Sequence, residues 1–170
     1  YLMGDGPKAI PYFHKSLSLY RKSSSIPEVD LGRSLNNLGI ALRKQGEELE
    51  ANRYLLLARE YLVSPTDIQT AKESYYNLAN LIDLYVDRKD FEAAKPLIEE
   101  ALSLGEHWSF SLELPYFHAA QLHQADNNLD QARGFYRASM AELYKLRSTD
   151  ISKIGQKALA IGETWLAESK

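Results

Sequence analysis

One pattern of small and large residues recurs along the chain at nearly constant spacing, and it constrains the fold more than any other feature. Ala9, Ala51, Ala94 and Ala132 stand 42, 43 and 38 residues apart. Four residues beyond each comes a large side chain (Phe13, Leu55, Ile98, Tyr136), and three further on a small one (Ser16, Ala58, Ala101, Ser139). A polar turn precedes each of the last three alanines: Lys44-Gln45-Gly46, Asp87-Arg88-Lys89-Asp90 and Asp126-Asn127-Asn128. Before each turn lies a second kind of helical segment, seen in Asn36–Leu42, Asn77–Leu81 and Phe117–Leu122. Near the end, Ala158, Ile161, Gly162 and Trp165 repeat the spacing of that first helix.

Helix pairs of this kind cannot bury both apolar faces alone, so neighbouring pairs must stack into a continuous core. The pattern therefore predicts an all-α chain of eight helices in antiparallel succession. Small residues mark where backbones approach closely: Gly39, Ala51 and Ala58 in one pair, Ala94 and Ala101 in the next. On the middle first helix, Tyr75, Leu78, Leu81, Ile82 and Tyr85 form one buried stripe. That stripe aligns with its counterparts on either Ala79 or Ile82. The units read as a truncated second helix at 1–22, pairs at 30–63, 67–104 and 111–147, and a further first helix or cap at 150–168. The breaks fall at Ser23–Pro27, Ser64–Asp67 and Leu104–Glu106. Pro11 and Pro96 lie two residues after an opening Ala, where a kink or a late helix start is expected. The whole of 1–170 reads as one array cut from a larger protein.

These residues resemble the tetratricopeptide repeat, whose pattern is W-x2-L-G-x2-Y on the first helix and A-x3-F-x2-A on the second. Leu35-x2-Leu38-Gly39-x2-Leu42 and Ala158-x2-Ile161-Gly162-x2-Trp165 carry the first-helix pattern, without its leading Trp. The period of about 42 residues is longer than the family's 34. It is similar to the repeats of kinesin light chains and of bacterial signal-transduction regulators. The resemblance implies a right-handed α-solenoid whose first helices line a concave, ligand-binding surface.

The chain offers little to catalysis. It has no Cys, which removes disulfides, thiolate nucleophiles and Cys-based zinc sites, and suits a reducing, cytoplasmic setting. His118 and His123 are five apart, about 140° around a helix, so they do not share a metal as an i, i+4 pair does. Glu99 and Glu100 diverge into solvent, and Gly4-Asp5-Gly6 is a turn between helices. No cofactor is implied. A net charge of −3 with mixed signs lacks the basic footprint of nucleic-acid binding. No apolar run is long enough to span a bilayer.

What remains is a binding surface for a protein or peptide. Asn77, Asn80, Asp83 and Asp87 form a polar stripe opposite the apolar one. Asn37 and His118 fall at the position of Asn77 or Asn80 in the flanking repeats. Side-chain amides both donate and accept, which suits gripping a peptide backbone. The expected groove also takes in Arg33, Lys44, Tyr76, Phe117 and Gln121, with Tyr76 and Phe117 as apolar pockets. The acidic pair Asp83 and Asp87 disfavours an end-carboxylate clamp and points to a ligand with a basic group. Exposed terminal helices give a second expectation, self-association. A protein- or peptide-binding scaffold is the leading reading, and a ligand-sensing segment of a bacterial signalling or transcriptional regulator is the alternative.

Overall fold

In the computed structural model the described residues are 10–15, 18, 27–145, 160, 164 and 167. They contain six bounded α-helices and no strand: α1 (Glu28–Lys44), α2 (Glu48–Leu62), α3 (Ile68–Asp87), α4 (Phe91–Trp108), α5 (Glu113–Ala125) and α6 (Leu129–Lys145). The fold is all-α. The terminal helices expected at 1–22 and 150–168 lie mostly outside the described residues, of which 10–15, 18, 160, 164 and 167 are helical. The chain divides into two compact units, Tyr1–Leu84 and Tyr85–Lys170.

In the first unit, Leu35, Leu38 and Leu42 of α1 pack on Ala51, Ala58 and Leu62 of α2, and Ile10 and Phe13 close the same cluster. Gly32 and Gly39, two turns apart on α1, are where α2 comes nearest. A Cβ on Gly39 would sit 2.7 Å from Leu55 Cγ and 3.1 Å from the Ala51 carbonyl oxygen. A Cβ on Gly32 would sit 2.7 Å from Leu62 Cγ. Glycine is thus required at Gly39 by contact rather than by backbone conformation. Acidic Glu28 and Asp30 open α1, while Arg43 and Lys44 close it, matching the helix dipole at both ends. α3 is capped by Asp67, whose Oδ1 accepts from the backbone N–H groups of Gln69 (2.8 Å) and Thr70 (2.9 Å). Those bonds, the Thr70 N–H first, hold the Asp67 carboxyl below its ordinary value.

In the second unit, Phe117, Ala120 and Tyr136 form the core between α5 and α6. The rings of Phe117 and Tyr136 meet edge to face at 5.9 Å. Burial raises the Tyr136 phenol, whose hydroxyl donates to Gln124 Oε1 at 2.9 Å. Ser139, the small residue of the repeat pattern, is buried and donates to the Glu113 carbonyl at 2.8 Å. The late start expected at Pro96 does not occur. α4 begins at Phe91, where Asp90 accepts from the Ala93 N–H, and runs through Pro96. Pro115 sits in the first turn of α5, where its missing N–H has no helical partner to lose.

The turn inside each pair is the same device three times. Glu47 N–H bonds Leu42 O at 3.0 Å, Asp90 N–H bonds Tyr85 O at 2.8 Å, and Asn128 N–H bonds His123 O at 2.8 Å. The residue before each donor is left-handed: Gly46 (φ 82°), Lys89 (φ 60°) and Asn127 (φ 57°). This is the Schellman closure, with its second bond from the left-handed residue to the carbonyl three back. Each left-handed residue stands five before the opening Ala, at Ala51, Ala94 and Ala132. The turn therefore fixes the register that the apolar stripe left open. Ile82, not Ala79, corresponds to Gly39 and Ala120, and Asn80 corresponds to Asn37 and His118.

Candidate peptide-binding face

Within the first unit, α1 and α3 are linked by four polar contacts between residues 40 to 44 apart in sequence. Arg33 Nη1 lies 3.8 Å from Glu73 Oε1, and Arg43 Nη1 lies 3.8 Å from Asp83 Oδ2. Between these ion pairs, Asn36 Oδ1 accepts from Asn77 Nδ2 at 3.1 Å and from Asn80 Nδ2 at 3.2 Å. Residue number rises along both helices from contact to contact, so α1 and α3 run parallel, as successive first helices should.

The amides differ in how much they retain for a ligand. Asn77 is 1% exposed, and its Nδ2 is shared with the Leu55 carbonyl at 3.0 Å. Its Oδ1 is buried without a hydrogen-bond partner. Asn77 ties α3 to both helices of the preceding pair, and its expected place on an open groove is corrected. Asn80 is half-buried, and its Nδ2 also donates to the Tyr76 carbonyl at 2.7 Å. Both bonds use the nitrogen, which orients the amide and leaves Oδ1 as a fixed acceptor. Asn37 is half-buried one residue beyond Asn36, and Tyr76 is 57% exposed. Arg33 is half-buried and also paired with Asp30 at 2.6 Å, while Lys44 and Asp87 are exposed at the ends of α1 and α3.

The Asp83 charge that pointed to a basic ligand is matched by Arg43 inside the face itself. Two other expectations are corrected in the second unit. Phe117 belongs to the core and is not an open pocket. His118 is 4% exposed, with Nδ1 3.1 Å from Oε1 of the half-buried Gln121. Sequence reasoning missed Asn36 and Glu73. Asn36 was detectable as a polar residue beside the apolar run Leu35, Leu38, Leu42, where burial demands a partner. Glu73 was detectable as the opposite charge 40 residues beyond Arg33, as Asp83 is beyond Arg43.

Among the described residues, no group of three or more His, Asp or Glu is placed to hold a metal ion, and no helix is long and apolar enough to cross a membrane. What the geometry defines is a class: helix pairs closed by a repeated turn, with a polar seam between successive first helices. Residues 31–60 match the tetratricopeptide repeat family model. That segment, α1 with most of α2, is therefore similar to a tetratricopeptide repeat. Among solved structures it is similar to the crystal structure of BtubC (BKLC) from P. vanneervenii, at 15% identity and a TM-score of 0.77. That match covers 96% of this chain and 67% of the other. No curated protein matches.

Proposed function

We propose that the chain is a protein- or peptide-binding scaffold, without catalytic activity of its own, that engages its ligand on the α1–α3 face of the first unit. The observation that carries the reading is Asn80. Its nitrogen is committed to Asn36 and to the Tyr76 carbonyl, so its oxygen is held ready for a ligand N–H at little entropic cost. Asn37 stands at the same register position on the preceding first helix, and exposed Tyr76 adds an aromatic surface beside them. With Asp83 and Glu73 matched by arginines, the face is polar rather than strongly charged, which favours backbone recognition over recognition of a charged ligand end. The cysteine-free sequence suits a cytoplasmic setting.

The test begins with a ligand captured by pull-down and proceeds to titration calorimetry. Asn80→Ala leaves a ligand N–H desolvated and unpaired, costing about 1–3 kcal/mol, or about 5- to 150-fold in Kd. Glu99→Ala, on an exposed position of α4, leaves affinity unchanged. Equal losses for the two variants would place the ligand elsewhere.

A further inference from the structure

The face of α2 that points away from α1 carries a feature the binding reading does not use. Leu49 (82% exposed), Leu56 (42%) and Val63 (53%, just past the helix end) are large apolar residues left in solvent at intervals of seven. At 100° per residue, Leu49, Arg53, Leu56, Glu60 and Val63 fall within an arc of about 80°. The buried side of the helix, Ala51, Leu55, Ala58 and Leu62, lies opposite. Arg53 and Glu60 are both exposed and flank Leu56 on its two sides.

This stripe is complementary to itself. When two copies of α2 are laid antiparallel about an axis at Leu56, Leu49 falls opposite Val63 and Leu56 opposite its own copy. With a rise of about 1.5 Å per residue, Arg53 then lies within about 1.5 Å along the axis of Glu60 of the second copy, and the reverse contact is made on the other side. A parallel pairing would set Arg53 against Arg53 and Glu60 against Glu60. The charges therefore select a two-fold, isologous arrangement. The first turn opposes this only weakly, since the Arg53–Glu50 pair within α2 is exposed at 3.8 Å.

We propose that the occupant of this stripe is a second copy of the chain, paired antiparallel through α2 in a dimer. Three apolar side chains along and just past a 15-residue helix make a small contact, so the dimer is weak, with a Kd on the order of 0.1 mM. The surface is separate from the α1–α3 face and does not depend on the ligand.

Sedimentation equilibrium on the full chain from 10 μM to 1 mM, on the order of the Kd above, tests it. The weight-average mass is expected to rise towards twice the monomer mass. Leu56→Glu places two carboxylates on the axis and should hold the chain monomeric, with an unchanged circular dichroism spectrum because the site is on the surface. Arg53→Glu should raise Kd by about fivefold or more, since two ion pairs become repulsions. The double variant Arg53→Glu/Glu60→Arg should recover the wild-type Kd, which no loss of folding or general stickiness would reproduce. A monomeric wild type at 1 mM would overturn the proposal. So would dimerisation that survives Leu56→Glu, or a double variant as weak as Arg53→Glu alone.

Discussion

Three glycines separate the forces that shape the helix pair, because replacing each with alanine should give a different result. Gly134 lies inside α6, and a Cβ there would meet nothing within 4 Å. Alanine at that site gains only helix propensity, so Gly134→Ala should stabilise by about 0.8–1.0 kcal/mol. Gly39→Ala has the same propensity gain, but its Cβ would sit 2.7 Å from Leu55 Cγ and 2.9 Å from Leu55 Cδ2. The contact falls on the branch point of Leu55, and the Ala51 carbonyl oxygen at 3.1 Å blocks the other side. The helices must therefore part. Overpacking costs about 1–3 kcal/mol, so after the propensity gain the net change is a loss of up to about 2 kcal/mol. Gly46 tests a third cause: its surroundings are open, but its φ is 82°. Gly46→Ala should lose about 1–2 kcal/mol through the left-handed backbone alone. Urea unfolding followed by circular dichroism reads all three. If Gly39→Ala stabilised as much as Gly134→Ala, the close crossing of α1 and α2 would be refuted. If Gly46→Ala were neutral, the Schellman turn would be refuted.

Other consequences follow from the same geometry. Lys89 adopts the left-handed conformation without being Gly or Asn, so Lys89→Gly should raise the urea midpoint by about 1 kcal/mol of stability; no gain would place Lys89 outside that turn. Asn36→Ala removes the acceptor shared by Asn77 and Asn80 and should cost about 1–3 kcal/mol, with an unchanged midpoint counting against the buried amide link. The Glu113 carboxyl is raised by burial and, secondarily, by Glu142. The folded chain therefore holds this proton more tightly than the unfolded chain. Its contribution is fully present below the ordinary carboxyl range and is lost as pH rises through the raised value. The gain in Tm on Glu113→Gln should accordingly be larger at pH 7 than at pH 4, and an equal gain at both would contradict that burial.

The helix pairs were legible because their constraint is local: an alanine that admits a neighbouring helix, then a large residue four further on. The register of the middle pair was not, since Tyr75, Leu78, Leu81, Ile82 and Tyr85 accept a shift of three residues without exposing an apolar side chain. What decides it is a backbone conformation. Gly46 and Asn127 advertise the left-handed position by residue type, while Lys89 does not. The groove was legible only in part. A first helix in a stack touches both its own partner and the preceding first helix, so its buried arc is wider than one apolar stripe. Asn77 lies in that extra arc, where polarity signals a buried contact and not a surface, and His118 is buried beside Phe117 and Gln121. Asn37, Asn80 and Tyr76 lie beyond it and stay accessible.

On the proposed binding mode, a protein or peptide ligand lies along α1 and α3 of the first unit. The most direct test is photo-crosslinking from position 76, with a benzophenone-bearing phenylalanine in place of Tyr76. The same group at Glu99 serves as the comparison. A ligand recovered by pull-down should be captured from position 76, Asn80→Ala should reduce the capture, and position 99 should give none. Capture from position 99 with none from position 76 would contradict that binding mode.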